Sequence, residues 1–332
     1  MKISVVIPTL AADDALDACV ASLRQQTLDA QAFEVIVVDN SGKGMANRLA
    51  PPVRVISNKV NTGYGGGVNA GIRESKSEWI FALNDDTTLH VECLQQLLTA
   101  AEQRREIGMC APLILRQGTN TIDSAGGLLI APDGTSKQRG QTREARDFKA
   151  NAETLLPSGC AALYRREMLD EIGLFEESYF LYCEDTDLGL RARRNAWECV
   201  YVPAAVVEHR YSHTSGGGTS ALKAYYVERN RLRTIVRNFP LRDLLLSPFH
   251  SAIRYWWHSR MKEGAAAQYI SQNRGSESLA KIAIRAWKDA LFELPQLWKQ
   301  RREIEARARL APRQFSRLLA SYRITSKQVA AL

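Results

Sequence analysis

Three short polar clusters follow apolar, β-branched runs in the first third of the sequence. They are Pro8-Thr9, Asp39-Asn40 and Asn84-Asp85-Asp86. Each cluster begins where a run typical of a buried strand stops. Because ligands bind outside the carboxyl ends of the strands in a parallel sheet, the three placements together predict one shared polar crevice.

The cluster Asn84-Asp85-Asp86 carries metal-binding chemistry. Two adjacent carboxylates after a buried strand can hold a hard divalent cation, which prefers oxygen ligands and keeps water or phosphate oxygens in its shell. An Asx turn, or a cap for the helix that starts near Val91, would use the same residue types. The two other strand-end clusters favour the binding site.

A second acidic cluster, Glu184-Asp185-x-Asp187, follows the aromatic run at 179–182 and opens a helix. The helix dipole favours acidic residues in a first turn, which accounts for Asp187 better than for Glu184 and Asp185 together. A carboxylate packed beside aromatic rings has a raised pKa and can act as a general base. Sequence spacing leaves open whether this cluster meets the first one in space.

His209 follows the strand-like run at 204–207. A lone histidine in such a position is more often structural than a ligand. Its neighbours His213 and Ser215-Gly216-Gly217-Gly218 predict a polar loop that could close over an anion, with backbone N–H groups and arginine as donors.

The glycine-rich segment at 61–71 contains Gly65-x-Gly67-x-x-Ala70, a formal match to the dinucleotide-binding pattern. That pattern should follow the first strand directly, whereas this one follows the third. The alternative is a tight start to a helix, where missing side chains let a substrate approach the backbone.

Strands that alternate with helices must position these clusters. Strand-like runs cover 3–7, 33–38, 53–57 and 79–83, and helical spacing covers 13–26 and 91–103. The alternation predicts an α/β fold with a mostly parallel sheet covered on both faces. The segment 118–151 has weak periodicity and is interpreted as a hairpin insertion or a loop. Beyond it, short helices are predicted over 166–172 and 185–195, with a strand over 199–202.

Charge divides the chain of 332 residues into two parts. Residues 241–332 contain 17 Lys and Arg against 7 Asp and Glu, whereas residues 1–240 contain 27 against 29. The formal net charge of +8 is therefore a property of the C-terminal part, which has helical spacing. A composition that is 24% charged and 45% hydrophobic excludes disorder, collagen and simple repeats.

The six cysteines lack C-x-x-C spacing, which argues against a structural zinc site. Scattered cysteines in such a chain favour reduced, mostly buried thiols and a cytosolic location. The N-terminal apolar run is too short for a signal peptide, and no run of about 18 apolar residues predicts a membrane-spanning helix.

As a set, these motifs resemble the inverting family 2 glycosyltransferases with the GT-A fold, in particular the bacterial rhamnosyltransferase-like branch. Their order and spacing match over about residues 1–235. The resemblance rests on Val5-Val6-Ile7-Pro8-Thr9, Val37-Val38-Asp39-Asn40-Ser41, the glycine-rich segment 61–71, Asn84-Asp85-Asp86, Ser158-Gly159-Cys160, Tyr182-Cys183-Glu184-Asp185-Thr186-Asp187-Leu188, His209 and Tyr225-Tyr226-x-x-Arg229-Asn230.

The resemblance implies a role for each matching residue. Asp86 would bind Mg²⁺ or Mn²⁺, and His209 would complete the metal or diphosphate site. Asp185 would be the general base, with Glu184 beside it. The implied nucleotide-sugar contacts are Pro8, Thr9, Asp39 at the base edge, Asn61, Gly63, Asn69, Asn84 and Asp85 near the ribose. Gly159, Tyr226 and Arg229 would line the donor or acceptor. The sequence departs from the family in having Asn84 first in the acidic triplet, and Cys183 where an aromatic or apolar residue is common.

The implied activity is inverting, metal-dependent transfer of a sugar. The expected donor is dTDP-β-L-rhamnose, and the acceptor is a hydroxyl of a cell-surface polysaccharide, such as O-antigen, or of a lipid-linked oligosaccharide. Alternatives are a UDP-sugar donor (UDP-GlcNAc or UDP-galactofuranose), an NAD-dependent oxidoreductase suggested by the glycine pattern, and a catalytically silent sensor, against which the acidic set argues. The expected domains are a GT-A catalytic domain over 1–240, with a nucleotide-sugar-binding half of about 1–115 and an acceptor-side half of about 116–240, and a helical basic extension over 241–332.

Two interpretations of the basic extension remain. Its helices could pack on the catalytic domain or on a second subunit of a homodimer. Alternatively, they could anchor a cytoplasmic enzyme peripherally at the inner membrane, with Arg and Lys toward anionic lipid. The candidate apolar stripe is Leu279, Ile282, Ala286, Leu291, Leu294 and Leu297, interrupted by Pro295. No base-reading motif supports nucleic acid as a partner, and the peripheral membrane location is the expectation.

Overall fold

The computed structural model describes residues 1–210, 220–272 and 277–332. Within these ranges the chain forms an α/β fold with one large sheet, a short hairpin and flanking helices. The strands are β1 (Ile3–Thr9), β2 (Phe33–Asp39), β3 (Arg54–Ser57), β4 (Trp79–Leu83), β5 (Thr87–Leu89), β6 (Ile107–Arg116), β7 (Ile122–Ala125), β8 (Leu128–Ile130), β9 (Ser136–Gln138), β10 (Ala152–Thr154), β11 (Ala161–Arg165) and β12 (Glu198–His209).

The helices cover both faces of the sheet and continue into the C-terminal extension. They are α1 (Asp14–Arg24), α2 (Gly63–Glu74), α3 (Cys93–Ala101), α4 (Arg166–Ile172), α5 (Glu184–Arg194), α6 (Ala221–Asn238), α7 (Leu241–Arg260), α8 (Ala265–Gln272), α9 (Leu279–Phe292), α10 (Leu294–Arg307), α11 (Pro312–Ser321) and α12 (Ser326–Ala331).

The large sheet is parallel in its N-terminal half and mixed beyond it. Its strand order is β10-β12-β6-β11-β4-β1-β2-β3, with β5 beside β12 and β7 beside β6. Strands β3, β2, β1 and β4 run parallel, as predicted, whereas β11 is antiparallel to both β4 and β6. The prediction of an α/β fold with a central sheet and flanking helices is confirmed.

Alternation along β1 divides the core into two layers, because successive side chains of a strand point to opposite faces. Val5 and Ile7 pack with Leu16 of α1 and Leu94 of α3 on one face. On the other face, Val6 belongs to a cluster with residues of α2, α4 and α5. Both faces of β1 are therefore covered by packed side chains.

The weakly periodic segment 118–151 contains β7 and the hairpin of β8 and β9. This outcome corresponds to the hairpin insertion rather than to the loop. Strand β7 pairs with the C-terminal half of β6, an interior strand of the large sheet, which carries residues of this segment toward the strand ends.

The C-terminal extension packs closely on the rest of the chain. Phe315 and Leu319 of α11 share a core with Leu128 and Leu155, and the guanidinium of Arg301 donates to the carbonyls of Val236 and Phe239 at 2.9 and 2.7 Å. Across residues 1–210, 220–272 and 277–332, every helix is too short or too polar to span a bilayer.

The apolar stripe that the sequence suggested for this extension is not a free surface. Ile282, Ala286 and Leu297 are buried, so half of the stripe's six residues face other parts of the protein. Leu291 and Leu294 of the same predicted stripe are exposed. The helical periodicity was correct, but it does not reveal which face of a helix meets the body.

Candidate active site

The carboxyl ends of β1, β2 and β4 meet at one edge of the sheet. Strand β1 pairs with β2 as far as Thr9 opposite Asp39, and with β4 on its other side. The N–H of Asn40 also donates to the carbonyl of Thr9 over 2.8 Å. The three polar clusters therefore lie at one edge of the sheet, and the crevice between them stays a prediction.

Asp39 is fully buried, and its carboxylate shapes the loop after β2. Its Oδ1 accepts hydrogen bonds from the N–H and hydroxyl of Ser41 at 2.9 and 2.5 Å, and its Oδ2 accepts from the N–H of Ala46 at 2.7 Å. Burial opposes the charge, but the hydrogen bonds hold the pKa of this carboxyl below its ordinary value. An ionised Asp39 thus forms one wall of the crevice, and its contact with a base edge stays a prediction.

Thr9 and Pro8 support the start of the same wall. The hydroxyl of Thr9 accepts a hydrogen bond from the N–H of Ala12 at 3.1 Å, and Thr9 is buried. A Cβ at Gly67 would lie 2.9 Å from the Cβ of Pro8, so α2 packs directly against this turn.

Asn40 joins the crevice to the glycine-rich segment. Its amide donates to the carbonyl of Gly63 at 2.9 Å and to Asn61 Oδ1 at 3.3 Å, while its own oxygen accepts from Thr62 and Asn58. Asn61 Oδ1 also accepts from the N–H of Gly63 at 2.9 Å. The two asparagines therefore fix the first turn of α2 beside the strand ends.

The glycines of this segment serve close packing. Gly63 has a φ of +75°, and a Cβ there would lie 2.1 Å from the carbonyl oxygen of Phe180. A Cβ at Gly71 would lie 2.3 Å from Val6. The segment forms α2 itself and follows β3, so the dinucleotide-pattern match reflects helix–sheet packing.

Asn69 fastens α2 to the segment before α5. Its amide donates to the carbonyl of Phe175 and to Glu177, both at 2.9 Å, and its oxygen accepts from the N–H of Phe175 at 3.1 Å. Because both amide hydrogens are used and the side chain is buried, the structure gives Asn69 a packing role that the sequence did not predict.

The loop before β11 connects the two acidic clusters. The N–H of Gly159 donates to Asp185 Oδ2 over 2.8 Å, and the carbonyl of the next residue, Cys160, accepts from the N–H of Asn84 over 2.9 Å. The hydroxyl of Tyr64 donates to the carbonyl of Gly159. Since consecutive Cα atoms lie ~3.8 Å apart, both clusters are bonded to neighbouring residues of one loop. The structure thus brings together the acidic residues whose convergence the sequence left open.

Glu184 and Asp185 occupy different environments at the start of α5. Burial raises the pKa of Glu184 to about 8, and the neighbouring charge of Asp185 adds to this. Glu184 Oε2 is buried and has no hydrogen-bond partner among the described residues. Burial also raises the pKa of Asp185, but the N–H groups of Gly159 and Thr186 stabilise its charged form. Hydrogen-bond donors therefore favour the charged form of Asp185, whereas burial favours the protonated form of Glu184.

Asp187, two positions later, is a structural residue. It is fully buried and accepts hydrogen bonds from Arg191, Arg237 and Asn238 at 2.7–3.2 Å. The two guanidinium charges outweigh burial and hold its pKa well below the ordinary range. The helix-start interpretation therefore suits Asp187, which ties α5 to α6.

The four residues before Glu184 follow a strained path. Phe180, Tyr182 and Cys183 all have positive φ, at 64°, 69° and 68°. The N–H of Leu181 donates to the carbonyl of Tyr179 over 2.8 Å, which closes a tight three-residue turn around Phe180. Positive φ in residues other than glycine costs about 1–3 kcal/mol each and persists only where surrounding contacts enforce it.

Asn230 of α6 enforces this path. Its buried amide donates to three carbonyls of the strained segment, those of Tyr179, Leu181 and Tyr182, at 2.9, 2.8 and 2.8 Å. Arg229 adds bonds to the carbonyls of Ser178 and Tyr179. Tyr226 stacks on Phe180 with ring centroids 5.6 Å apart. Arg229 and Tyr226 therefore support the loop that carries Asp185, and their contact with a donor or acceptor stays a prediction.

Asp85 and Asp86 follow β4 and lie opposite the end of β12. His209 pairs with Thr87 of β5, and His209 Nε2 lies 3.3 Å from Asp86 Oδ1. The other ring nitrogen, Nδ1, lies 2.8 Å from Oδ2 of Asp123 in β7. A carboxylate on one imidazole nitrogen is the arrangement that orients a histidine to ligate a metal with the other.

This group of residues fits a divalent cation shared with a substrate. Asp86 Oδ1 is buried and accepts no hydrogen bond from the described residues, although it faces His209. No group of three or more His, Cys, Asp and Glu side chains in the described ranges forms a complete metal site. Mg²⁺ and Mn²⁺ sites that include substrate phosphates take only one or two ligands from the protein, so Asp86 and His209 suffice.

Sequence reasoning missed Asp123 and the roles of Asn40 and Asn230. Asp123 is a single acid in a segment without clear periodicity, so only the pairing of β7 with β6 reveals that it reaches His209. Asn40 and Asn230 were part of recognised motifs, but their many hydrogen bonds depend on distant residues. The predicted anion-closing loop with His213 and 215–218 lies outside the described residues.

A protein family and several known proteins resemble this chain. The model of the family described as glycosyl transferase family 2 matches residues 4–173. An N-acetylglucosaminyl-diphospho-decaprenol L-rhamnosyltransferase of Mycobacterium tuberculosis is 28% identical over 242 residues, which cover 64% of this chain and 77% of that protein.

Solved structures share the fold at low sequence identity. A crystal structure of GalNAc-T7 with UDP, GalNAc and Mn²⁺ superposes with a TM-score of 0.59 at 16% identity, covering 89% of this chain but only 58% of the other. The mannosyltransferase PcManGT from Pyrobaculum calidifontis, in complex with GDP-Man and Mn²⁺, has a TM-score of 0.55 at 14% identity, covering 92% and 85%.

Proposed function

This chain belongs to glycosyl transferase family 2, and from that premise we propose that it transfers L-rhamnose from dTDP-β-L-rhamnose. The acceptor is a hydroxyl of a lipid-linked oligosaccharide or a cell-surface polysaccharide, and the anomeric centre is inverted. The rhamnosyltransferase relative supports the donor and a lipid-diphosphate acceptor.

Asp185 is the proposed general base. A sugar hydroxyl is a weak nucleophile at neutral pH, and removal of its proton during attack contributes about 10²–10⁴-fold in rate. The N–H groups of Gly159 and Thr186 orient the Asp185 carboxylate and stabilise its charged form, while burial raises the pKa of Glu184 to about 8 and disfavours a second negative charge beside it. A single displacement from the face opposite the leaving group inverts the configuration.

Asp86 and His209 are the residues proposed to hold the donor's diphosphate through Mg²⁺ or Mn²⁺. Such a cation, when bound, offsets the negative charge that builds on the leaving nucleoside diphosphate. Asp123 keeps the imidazole of His209 in the orientation that presents Nε2 to this position. Asp85 is proposed to contact the ribose, and the loop shaped by Asp39 to border the nucleobase.

The observation that carries this proposal is the shared loop at 158–160. Through Gly159 and Cys160 it bonds both to Asp185 and to the strand end that leads into Asp85 and Asp86. Inverting transfer needs a base on one side of the anomeric carbon and charge stabilisation on the other. We propose that this loop holds the base Asp185 in a set position relative to Asp85 and Asp86.

A second candidate donor is a UDP-sugar, such as UDP-GlcNAc or UDP-galactofuranose. The structural neighbour solved with UDP favours it, although at 16% identity that likeness concerns the fold. The packing of the glycine segment removes the reason for an NAD-dependent oxidoreductase.

A thermal-shift and donor-hydrolysis panel tests the donor. dTDP-rhamnose, UDP-GlcNAc, UDP-galactofuranose and NAD are compared with and without Mg²⁺ or Mn²⁺. Stabilisation and slow hydrolysis with dTDP-rhamnose alone support the proposal, and a response only to a UDP-sugar replaces the donor. A response to none of the nucleotide sugars contradicts both candidates.

The same proposal places the enzyme in the cytoplasm, peripherally at the inner membrane, where a lipid-linked acceptor is presented. The basic extension supports this location, because each Lys or Arg near an anionic surface contributes about 1 kcal/mol to binding. The competing proposal is that the extension packs on a second subunit of a homodimer.

A further inference from the structure

Helix α7 exposes an apolar stripe to solvent along its outer face. Leu245, Phe249 and Trp256 are 71%, 66% and 50% exposed, and they stand at spacings of four and seven residues. The inner face of the same helix is fixed to the body, since Arg254 bonds to Asp133 and Glu228 at 2.5 and 2.9 Å. The helix is therefore held rigidly while its apolar stripe has no cover in the described structure.

Helix α9 continues this apolar surface beside α7. The hydroxyl of Tyr255 and the indole N–H of Trp287 join the two helices over 3.2 Å. Tyr255 and Trp287, together with Ile284, Leu291 and Phe292, line a groove of about 770 Å³. Ile284 and Phe292 are 69% and 75% exposed. None of these five residues belongs to the proposed catalytic or nucleotide-binding set.

The charges of the two helices are distributed asymmetrically. Arg242, Arg260, Lys281 and Lys288 are exposed. The acids of these helices, Asp243 and Asp289, are only partly exposed and accept hydrogen bonds from the hydroxyls of Ser316 and Tyr225 at 2.6 and 2.5 Å. The rim of the apolar surface is thus basic, with its acidic groups turned toward the protein.

The exposed apolar surface and its basic rim fit a lipid surface better than a second copy of the chain. In a two-fold dimer the same patch meets itself, so the basic rim would face an identical basic rim. A bilayer with anionic lipid instead offers an apolar interior for the leucine and aromatic side chains and negative headgroups for the rim. Tryptophan and tyrosine are also the side chains that favour the interface between headgroups and acyl chains.

We propose that α7 and α9 form a docking face for the surface of an anionic membrane, with Leu245, Phe249, Trp256, Ile284, Leu291 and Phe292 inserted among the headgroups. This face shares only Leu291 with the stripe that the sequence suggested, of which Ile282, Ala286 and Leu297 are buried. Its docking does not depend on the donor, whereas its use for a lipid-linked acceptor rests on the proposed function.

The face also lies beside the acceptor side of the site. Asp289 of α9 accepts from Tyr225, which is next to Tyr226, and Tyr226 stacks on Phe180 of the loop before Asp185. A chain of side-chain contacts therefore links α9 to the base-carrying loop. That placement suits an acceptor whose sugar enters the site while its lipid remains in the bilayer.

Vesicle flotation of the full-length protein tests the docking face. Vesicles of phosphatidylcholine alone are compared with vesicles that also contain phosphatidylglycerol, at low and high salt. We expect flotation with the anionic vesicles and its loss at high salt. The double variant Phe249→Glu/Phe292→Glu should bind about tenfold or more weakly, because two apolar contacts are replaced by charges that the lipid repels.

A matched variant and two further measurements make the outcome decisive. Val91→Glu places one of the two added charges at an exposed apolar position outside α7 and α9, and should float like the wild type. Donor hydrolysis should be the same in all three proteins, so a failed donor panel would contradict the proposed function without touching the docking face. Absence of wild-type flotation, or equal flotation of the double variant, overturns the docking face. A wild-type dimer in sedimentation that the double variant converts to monomer, without vesicle binding, assigns the surface to a second copy.

Discussion

The two acidic clusters, 84–86 and 184–187, both place carboxylates close together, but the partners of these carboxylates differ. Asp187 receives two buried arginines and an asparagine, which use its lone pairs within the protein. Asp86 has an oxygen without a hydrogen bond in the described structure and faces an imidazole. Asp185 is held by backbone N–H groups. The difference teaches that two buried arginines mark the structural acid Asp187, whereas no arginine side chain pairs with Asp86 or Asp185 in the described hydrogen bonds and ion pairs.

The largest expected effect is at Asp86. Asp86→Ala should lower turnover by about 10³-fold or more, since the charge stabilisation supplied through a metal is worth several kcal/mol. Metal-dependent donor binding should be lost while the unfolding temperature stays near that of the wild type. Rate measurements and donor titrations with and without Mn²⁺ check this.

Asp85→Ala is the matched control, because it removes the neighbouring carboxylate. It should weaken donor binding while turnover still responds to metal. Treatment of the wild type with EDTA should abolish activity, and added Mg²⁺ or Mn²⁺ should restore it. Full activity of EDTA-treated enzyme would show that Asp86 is not a metal ligand.

At Asp185 the expected loss is smaller. Asp185→Asn retains size and most hydrogen bonds but cannot accept the proton, so kcat should fall by about 10²-fold or more with donor affinity within a few fold. Glu184→Gln, the adjacent control, mimics the protonated carboxyl and should keep most activity. If Asp185→Asn keeps wild-type activity and Glu184→Gln is inactive, the base is Glu184 rather than Asp185.

Asp187 provides the structural side of the comparison. Asp187→Asn removes the buried counter-charge that Arg191 and Arg237 share and leaves Arg237 with Glu176, and should reduce the free energy of unfolding by about 3–5 kcal/mol. Asp147→Asn breaks an exposed Arg–Asp pair of the same four-residue spacing and should cost less than about 1 kcal/mol. Urea unfolding of both variants measures the difference. Equal small losses would mean that the Asp187 network is not what stabilises α5.

Much of this site was predictable because strand ends are readable in sequence. Buried β-branched runs located β1, β2 and β4, and the polar residues after them had to share one edge. Asp123 could not be placed in the same way, because its position depends on the pairing of β7 rather than on a local pattern. The same limit applies to the glycine segment, where packing against Val6 and Phe180 determines the residue type.

The C-terminal extension shows the opposite balance. Its helices and its basic charge followed from periodicity and composition, but the direction of each helix face did not. Ile282 and Ala286 carry the regular apolar spacing and are buried, whereas Ile284 and Phe292 break that spacing and are exposed. The inner face of α9 is the one that packs on α6. The inner face of α7 is the one whose Arg254 forms ion pairs with Asp133 and Glu228. These partners are distant in sequence, so a local pattern does not reveal them.

A substitution of Asn230 tests whether the strained segment 180–183 positions the proposed base, Asp185. Asn230→Leu removes, at similar volume, the amide group whose two N–H hydrogens are shared among three carbonyls of the loop. We expect kcat to fall about tenfold with donor KM within a few fold. A purely stabilising role would lower the unfolding temperature without moving kcat. Asn230→Gln retains an amide and should recover part of the rate. Unchanged kcat in the Leu variant would show that the loop keeps its path without Asn230.

The smallest expected effect concerns pH and the pair of acids at the start of α5. Burial raises the pKa of Glu184 from 4.5 to about 8, so the folded protein binds a proton there that the unfolded chain releases at neutral pH. Stability should therefore be greatest below about pH 4.5 as far as this group is concerned, and should fall as the pH rises from there toward 8. Because the charge of Asp185 contributes to the shift, we expect on the order of 1–2 kcal/mol rather than the full value for an isolated group. Glu184→Gln cannot lose a proton and should remove this part of the slope, making the variant more stable than the wild type near pH 9 and similar to it near pH 5. Parallel pH profiles for the two proteins would mean that Glu184 is already ionised at neutral pH, and that the two acids at the start of α5 are not divided into a charged and a neutral member.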